Sequence, residues 1–468
     1  MPVSRPVAIG HDLVKGNAEL QGPVAVSSKL KQRHISMIAL GGAIGGGLFV
    51  GSSSAIAEAG PGAIVAFLVT GLFVMAVMTM LGRMVVAFPN QGSFVSYIRL
   101  GHGPCAGYLA GWLYWFFWVV AIGSEAIAGA VILHGWIPLP IWCLAVGIVM
   151  GLLLINIGAV HVFGETEFWL SLVKVLAIIF FIGLCSVFLV WNHGFSLHAN
   201  PALRENMQVF PKGFVVILGI IPTALFTMLG AELGTVAAGD SASPQQTIAR
   251  VTYSVGLRIC SFYLCSLLLI LLVTPWRDVM PGHSPFLTTL ARIGVPHTVM
   301  IMQCVVLVAV LSCLNSSIYI TSRILAEMAR SGDAPQLFRS TDDTPPRKAV
   351  IASCLCGVVV AFSSILSPGG VFSFLLNCSG AVVLVVYVMI STAHYTLFRA
   401  KAGRQALGHV LRTALVIAFS AVTFLAMFIR PDQRATVVSC FITILFFLAI
   451  YAIRKQLSCR RAHVQLRS

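Results

Sequence analysis

Five ionisable residues, Glu125, Lys174, Glu232, Arg258 and Glu327, fall inside long apolar stretches of this 468-residue chain. An ionisable group within a membrane span is costly and points to a functional site by default. Lys174 is the most informative of the five. Its surroundings, Phe168-Trp169-Leu170-Ser171-Leu172-Val173-Lys174-Val175-Leu176-Ala177, offer no carboxylate. Burial disfavours the charged amine, so such a lysine suits the uptake and release of a proton. The competing reading is a lysine that snorkels to the inner interface. Glu232 sits on a helix break, where it either caps freed amides or binds protons. Glu125 is a further proton-coupling candidate, and reads equally well as a structural hydrogen-bonding group. Arg258 is placed to snorkel, and Glu327 to pair with Arg323 or Arg330.

Backbone chemistry is the second signal. The first apolar span contains Ile44-Gly45-Gly46-Gly47-Leu48. Each glycine lowers helix stability by about 1 kcal/mol relative to alanine, and polar groups freed by unwinding cannot face hydrocarbon. The amides of Gly46, Gly47 and Leu48 then lie at the start of a half-helix ending near Ala57. That terminus carries free N–H donors and a positive partial charge, which suit a carboxylate. Close packing against a neighbouring helix is the alternative. A second break is expected in Phe226-Thr227-Met228-Leu229-Gly230-Ala231-Glu232, one turn after Pro222, whose missing N–H weakens the helix. Carbonyls freed there, at Thr227 and around Gly230, accept bonds from an ammonium, and Phe226 covers the ligand. Donors at one break and acceptors at the other suit a zwitterion.

These residues must be held by membrane helices. The chain is 58% hydrophobic and only 10% charged, with a mean hydropathy of +0.93. A soluble domain is roughly half apolar and a quarter charged. Apolar runs of about 20 residues predict helices over 36–57, 63–87, 104–134, 140–157, 167–190, 213–238, 250–273, 297–330, 349–366, 371–398, 412–429 and 434–453. Residues 1–35 and 454–468 read as cytoplasmic tails, with 36–453 as one transporter domain. The net charge of +15 does not imply nucleic acid, because Lys and Arg gather in alternate connections. That bias places both termini in the cytoplasm. The Gly-interrupted first and sixth helices open two groups of five, over 36–190 and 213–398. An odd number of helices inverts the second group, the pattern of inverted-repeat transporters. Helices over 412–453 are additional.

Other chemistries have no support. There is no G-x-S-x-G, no H-E-x-x-H and no G-x-x-x-x-G-K-[ST], so an enzyme and an ATP-driven pump are both disfavoured. The cysteines lie mostly in apolar spans without paired metal-type spacing. No cofactor or metal is expected, and no cleavable signal peptide is evident.

Several blocks carry a resemblance. They are Arg33-His34-Ile35-Ser36-Met37, Ile44-Gly45-Gly46-Gly47-Leu48-Phe49-Val50-Gly51-Ser52-Ser53, Ala57-Glu58-Ala59-Gly60-Pro61, Gly111-Trp112-Leu113-Tyr114-Trp115, Gly164-Glu165 with Glu167-Phe168-Trp169, and Arg330-Ser331-Gly332-Asp333-Ala334-Pro335. With them the chain resembles the amino acid–polyamine–organocation transporters, specifically bacterial permeases that include those for 4-aminobutyrate. The resemblance implies an all-α LeuT-type fold of two inverted five-helix repeats plus two helices, and uptake of an amino acid with protons across the bacterial inner membrane. It implies a carboxylate site at Gly45, Gly46 and Gly47, a gate aromatic at Phe226 and a G-x-E element at Gly230 and Glu232. It also implies that Lys174 stands where related transporters hold sodium, and that it carries the coupled proton.

Three departures stand out. Arg83 replaces an acid in Leu81-Gly82-Arg83-Met84, Gly239-Asp240-Ser241-Ala242-Ser243-Pro244 shortens an acidic side chain, and Met228 replaces a possible second aromatic. The expected function is therefore proton-coupled import of 4-aminobutyrate or a related amino acid. A carrier or exchanger of another amino acid, such as an aromatic one, and a non-transporting sensor are the alternatives.

Overall fold

The computed structural model describes residues 42, 44–88, 93–158, 163–192, 196, 200–228, 230, 244–339, 346–399 and 406–465. Every regular element among them is helical. Ile44 and Gly45 form a bend, and Gly47–Gly51 winds as a single π-turn. The chain then continues as α1 (Ser52–Ala59), turns through Gly60–Gly62, and returns as α2 (Ala63–Ala87). Gly60 has φ +60°, and a Cβ there would lie 2.8 Å from Pro211, so only glycine fits the turn. There follow α3 (Phe94–His102), α4 (Pro104–His134), α5 (Ile141–Gly158) and α6 (Phe163–Trp191). The second half comprises α7 (Phe214–Gly219), α8 (Ile221–Met228), α9 (Pro244–Val273), α10 (Pro285–Ile293), α11 (Thr298–Arg330), α12 (Arg347–Phe362) and α13 (Pro368–Phe398). Two further helices close the chain, α14 (Ala406–Ile429) and α15 (Arg434–Gln465).

Among the described residues, nine helical stretches are long and apolar enough to cross a membrane, against the twelve expected. Two causes account for the difference. The stretch Gly47–Ala87 holds the Gly60 turn within it, and Ile141–Ile157 and Phe214–Met228 are apolar but shorter. Phe214–Met228 stops where the described residues are interrupted, at 229 and 231–243. Within it, Pro222 cannot donate the bond that would bridge α7 to α8, and its carbonyl is pressed against Gly380 of α13, where a Cβ would sit 1.9 Å away.

Two short helices, α3 and α10, are absent from the sequence reading. Each has only nine residues, too few for a span. Their amphipathic spacing is nonetheless visible, with Phe94, Val95, Ile98 and Phe286, Thr289, Leu290 turned inward. The last helix also runs on to Gln465, into the stretch read as a tail. Residues 1–35 lie outside the described residues.

The core forms around α4, which packs against α5, α11, α12 and α13. The most apolar window of α4 is 83% buried, whereas that of Pro431–Leu457 is 22% buried. Thus α4 is the axis of the bundle and α15 lies at its edge. The edge helices are tied on by Arg430, whose Nη1 sits 3.3 Å from Glu58 Oε2 at the end of α1.

Candidate functional site

The glycine segment of the first span meets the last turn of α8, at the start of the stretch where the second break is expected. A Cβ on Gly47 would lie 2.9 Å from Thr227 Cα, and one on Gly51 3.2 Å from Thr227 Cγ2. Gly45 is pressed equally hard by α11, with Cys313 2.6 Å from its would-be Cβ, and Gly46 by Glu125 Oε2 at 2.7 Å. Close packing and a ligand site are therefore not alternatives at these glycines. Each lacks room for a methyl group, and Gly46 also presents a donor.

That donor is in use. The Gly46 N–H donates to Glu125 Oε2 at 2.8 Å, inside the protein. Glu125 projects from the α4 face that also carries Phe117 and Ala121, at spacings of four residues that stack on one side of a helix. The π-turn behind the glycines is kept in shape by hydroxyls: Ser52 Oγ donates to the Leu48 carbonyl and Ser53 Oγ to the Val50 carbonyl, each at 2.6 Å. Ile44 and Leu48 are fully buried beside the break and do not line the cavity described next.

A cavity of about 20 Å³ lies at the junction, lined by Gly42, Gly45, Gly47, Phe117, Trp118, Ala121, Glu125, Phe226, Thr227 and Cys313. That volume holds roughly one water, so an amino acid enters only when side chains move aside. Phe226 is nearly buried and packs on Phe117 with ring centroids 5.7 Å apart. The Thr227 carbonyl, expected to face a ligand ammonium, accepts a hydrogen bond from the Tyr263 hydroxyl of α9. Tyr263 is a participant the sequence reading missed. Gly230 has φ +122°, a conformation open to glycine, consistent with broken helix at that point. Glu232 lies outside the described residues.

Lys174 is where the structure corrects the sequence reading most. It is fully buried, which removes the snorkelling alternative, and its Nζ lies 3.8 Å from Glu167 Oε1. The window Phe168–Ala177 stops one residue short of that carboxylate. Glu167, Ser171 and Lys174 fall at i, i+4 and i+7 on α6 and are all fully buried, while Trp169 on the opposite face is 58% exposed. This polar stripe was the available signal. Glu167 Oε1 also accepts from Ser312 Oγ of α11 at 2.6 Å. The Lys174 charge also lies within electrostatic reach of Glu125. Of the two possible oxygen ligands on α11, Ser317 Oγ donates to the Cys313 carbonyl at 2.8 Å, and the Ser316 hydroxyl is buried.

Other expectations resolve as follows. Glu327 accepts a hydrogen bond from Ser93 Oγ at 2.8 Å and lies within electrostatic reach of Arg330, while Arg323 stacks on Tyr319. Arg258 is exposed. Met228 does not line the cavity and instead approaches Gly71 of α2, with 3.7 Å between its Cε and the would-be Cβ. Arg83 lies apart from the cavity, near Arg412.

The amino acid permease family profile matches residues 34–464 of this chain. The chain is 39% identical over 437 residues to the "Probable GABA permease" of Pseudomonas aeruginosa, covering 90% of this chain and 91% of that protein. It is 39% identical over 435 residues to the "Gamma-aminobutyric acid permease" of Escherichia coli, covering 89% and 92%. Among solved structures, a mutant of the Eremococcus coleocola manganese transporter shares the fold, with a TM-score of 0.56, 15% identity and coverage of 90% and 94%. This is the LeuT-type helical transporter fold.

Proposed function

This chain belongs to the amino acid permease family, and from that premise we propose that it imports 4-aminobutyrate or a related amino acid by proton symport with alternating access. The membrane is the cytoplasmic membrane of a bacterium, with both termini inside. The observation that carries the reading is the bond from Gly46 N–H to Glu125 Oε2 at 2.8 Å. A backbone donor beside a cavity between two helix breaks already binds a carboxylate there, and the substrate's carboxylate has the same chemistry.

The two carboxylates compete for one donor. When the substrate carboxylate takes Gly46, Glu125 loses the hydrogen bond that stabilises its charge, and it takes up a proton. The charge of the cavity is then unchanged by the added carboxylate. The substrate ammonium is held by the second lone pair of the Thr227 carbonyl, since a carbonyl oxygen has two and Tyr263 uses one. Phe226 covers the ligand from outside. On release inward, Glu125 returns to Gly46 and gives up its proton to the cytoplasm. Lys174, between Glu125 and Glu167, relays the change to α6 and α11, which supports its role in proton coupling. Glu232, two residues after Gly230 in the sequence, is assigned to the same pathway.

Purified protein in proteoliposomes tests the proposal. Radiolabelled 4-aminobutyrate should accumulate above equilibrium under an inward proton gradient, and a protonophore should collapse the accumulation. Equilibration indifferent to the gradient would instead establish proton-independent exchange. Binding without uptake would establish a sensor. Competition by a panel of unlabelled amino acids identifies the preferred substrate, and stronger inhibition by an aromatic amino acid than by 4-aminobutyrate would displace it.

A further inference from the structure

Arg83 lies in a corner where four basic side chains gather. His394 of α13 is fully buried, and neither ring nitrogen has a hydrogen-bond partner. It stacks against His409 of α14 with ring centroids 5.0 Å apart, and both rings pack on Phe398, at 4.8 Å and 5.7 Å. His409 is 7% exposed, and its Nδ1 also lacks a partner. The guanidinium groups of Arg83 and Arg412 both lie within electrostatic reach of the two imidazoles and of each other. Among the described residues, no carboxylate pairs with any of the four.

Such a cluster is unfavourable by itself. Like charges repel, and a buried polar nitrogen without a partner is costly. Unsatisfied groups of this kind in a native fold need an explanation, a bound ion among them. The location says which one. The corner lies where α2 and α13 end and α14 begins, the side that the Lys and Arg distribution assigns to the cytoplasm. Leu407, Leu411 and Leu415 recur every four residues along α14 at 76%, 58% and 60% exposure, an apolar ridge on the side of that helix turned away from His409.

We propose that this corner binds the phosphate of an anionic phospholipid of the cytoplasmic leaflet. Arg83 and Arg412 clamp the phosphate, His409 donates to one of its oxygens, and His394 supports His409 from beneath. Basic pockets between helices on the cytoplasmic side are suited to such headgroups. This inference concerns a site away from the transport cavity and stands whatever amino acid is carried.

The experiment is a thermal-unfolding titration of the purified full-length chain with phosphatidylglycerol, phosphatidylcholine or inorganic phosphate. Phosphatidylglycerol alone should raise the unfolding midpoint. Arg83→Gln and Arg412→Gln should each weaken its apparent affinity about fivefold, the equivalent of about 1 kcal/mol per basic residue at an anionic surface. Arg83→Glu supplies an internal anion for Arg412, so this variant should be stable without lipid and unresponsive to it. Native mass spectrometry of the unsubstituted protein provides a readout independent of any variant, with phosphatidylglycerol retained in preference to phosphatidylcholine. An equal response to phosphatidylcholine, or a full response in the folded arginine variants, overturns the site. Inorganic phosphate acting as strongly as the lipid overturns the lipid assignment, with a free anion as the ligand.

Discussion

The centre and the inner corner of this molecule solve the same electrostatic problem in opposite ways. At the centre, Lys174 lies 3.8 Å from Glu167 and within electrostatic reach of the Gly46-bound Glu125, so opposite charges meet inside the protein. At the corner, Arg83 and Arg412 are exposed cations, His394 and His409 are buried imidazoles with unpartnered ring nitrogens, and no carboxylate joins them among the described residues. A buried polar group or charge needs a partner. Where the chain supplies the partner, as at the centre, that partner can be exchanged for a substrate group, which is what transport requires. Where the chain supplies none, the partner must come from the surroundings, and at a membrane boundary that means lipid.

Substitutions can break this comparison, and the largest effect is expected at Gly46. Gly46→Leu drives a branched side chain into Glu125 and Ala128, which lie 2.7 Å and 3.3 Å from a Cβ. Loss of a charge-assisted hydrogen bond of about 1.5–3 kcal/mol predicts at least a tenfold loss of binding, and steric blockage should take uptake below detection. Unchanged substrate affinity in a calorimetric titration would remove the break from the site.

Lys174→Ala should come next. It leaves two carboxylates without their amine, and breaking a buried pair costs about 3–5 kcal/mol. Concentrative uptake should vanish while some counterflow exchange persists. The double variant Lys174→Ala with Glu167→Gln should recover thermal stability but not proton-driven accumulation. Full accumulation in Lys174→Ala would show that the amine is structural.

Glu125→Gln sharpens the comparison instead of breaking it. A neutral amide competes for the Gly46 donor less well than a carboxylate, by about 1 kcal/mol, so the KM for uptake should fall roughly fivefold while accumulation collapses. A raised KM would mean that Glu125 helps to hold the substrate and does not compete with it.

The smallest change is expected for Tyr263→Phe. It removes one neutral hydrogen bond to the Thr227 carbonyl, worth about 0.5–1.5 kcal/mol. The KM should shift between about twofold and tenfold with little change in maximal rate. A proportional loss of maximal rate would place the Tyr263 hydroxyl in the conformational step.

The first break was legible because its cause is local, whereas much of the second expected break, at 229, 231 and 232, lies outside the described residues. Three adjacent glycines and Pro222 weaken a helix whatever surrounds it. The roles of Glu125 and Glu167 were less legible. Each looks like an isolated charge in an apolar run, and Glu167 lay at the edge of its run, two turns from Lys174. Helical periodicity could have joined Glu167, Ser171 and Lys174 into one stripe. No pattern along the chain could have joined Ser312 to Glu167, or His394 to Arg83, because those contacts cross between helices.

What the sequence determined by itself was a membrane-embedded helical bundle, two interrupted helices, and a set of charges too costly to be ornamental. Hydrophobicity, glycine entropy and the missing proline donor act on the residues that carry them, so they can be read in order along the chain. Tertiary structure alone decided that Gly46 meets Glu125, 79 residues away, that the Thr227 carbonyl meets Tyr263, and that Arg83 meets no carboxylate among the described residues. The partner of a buried charge is set by which helix faces pack together, and that depends on the whole bundle at once.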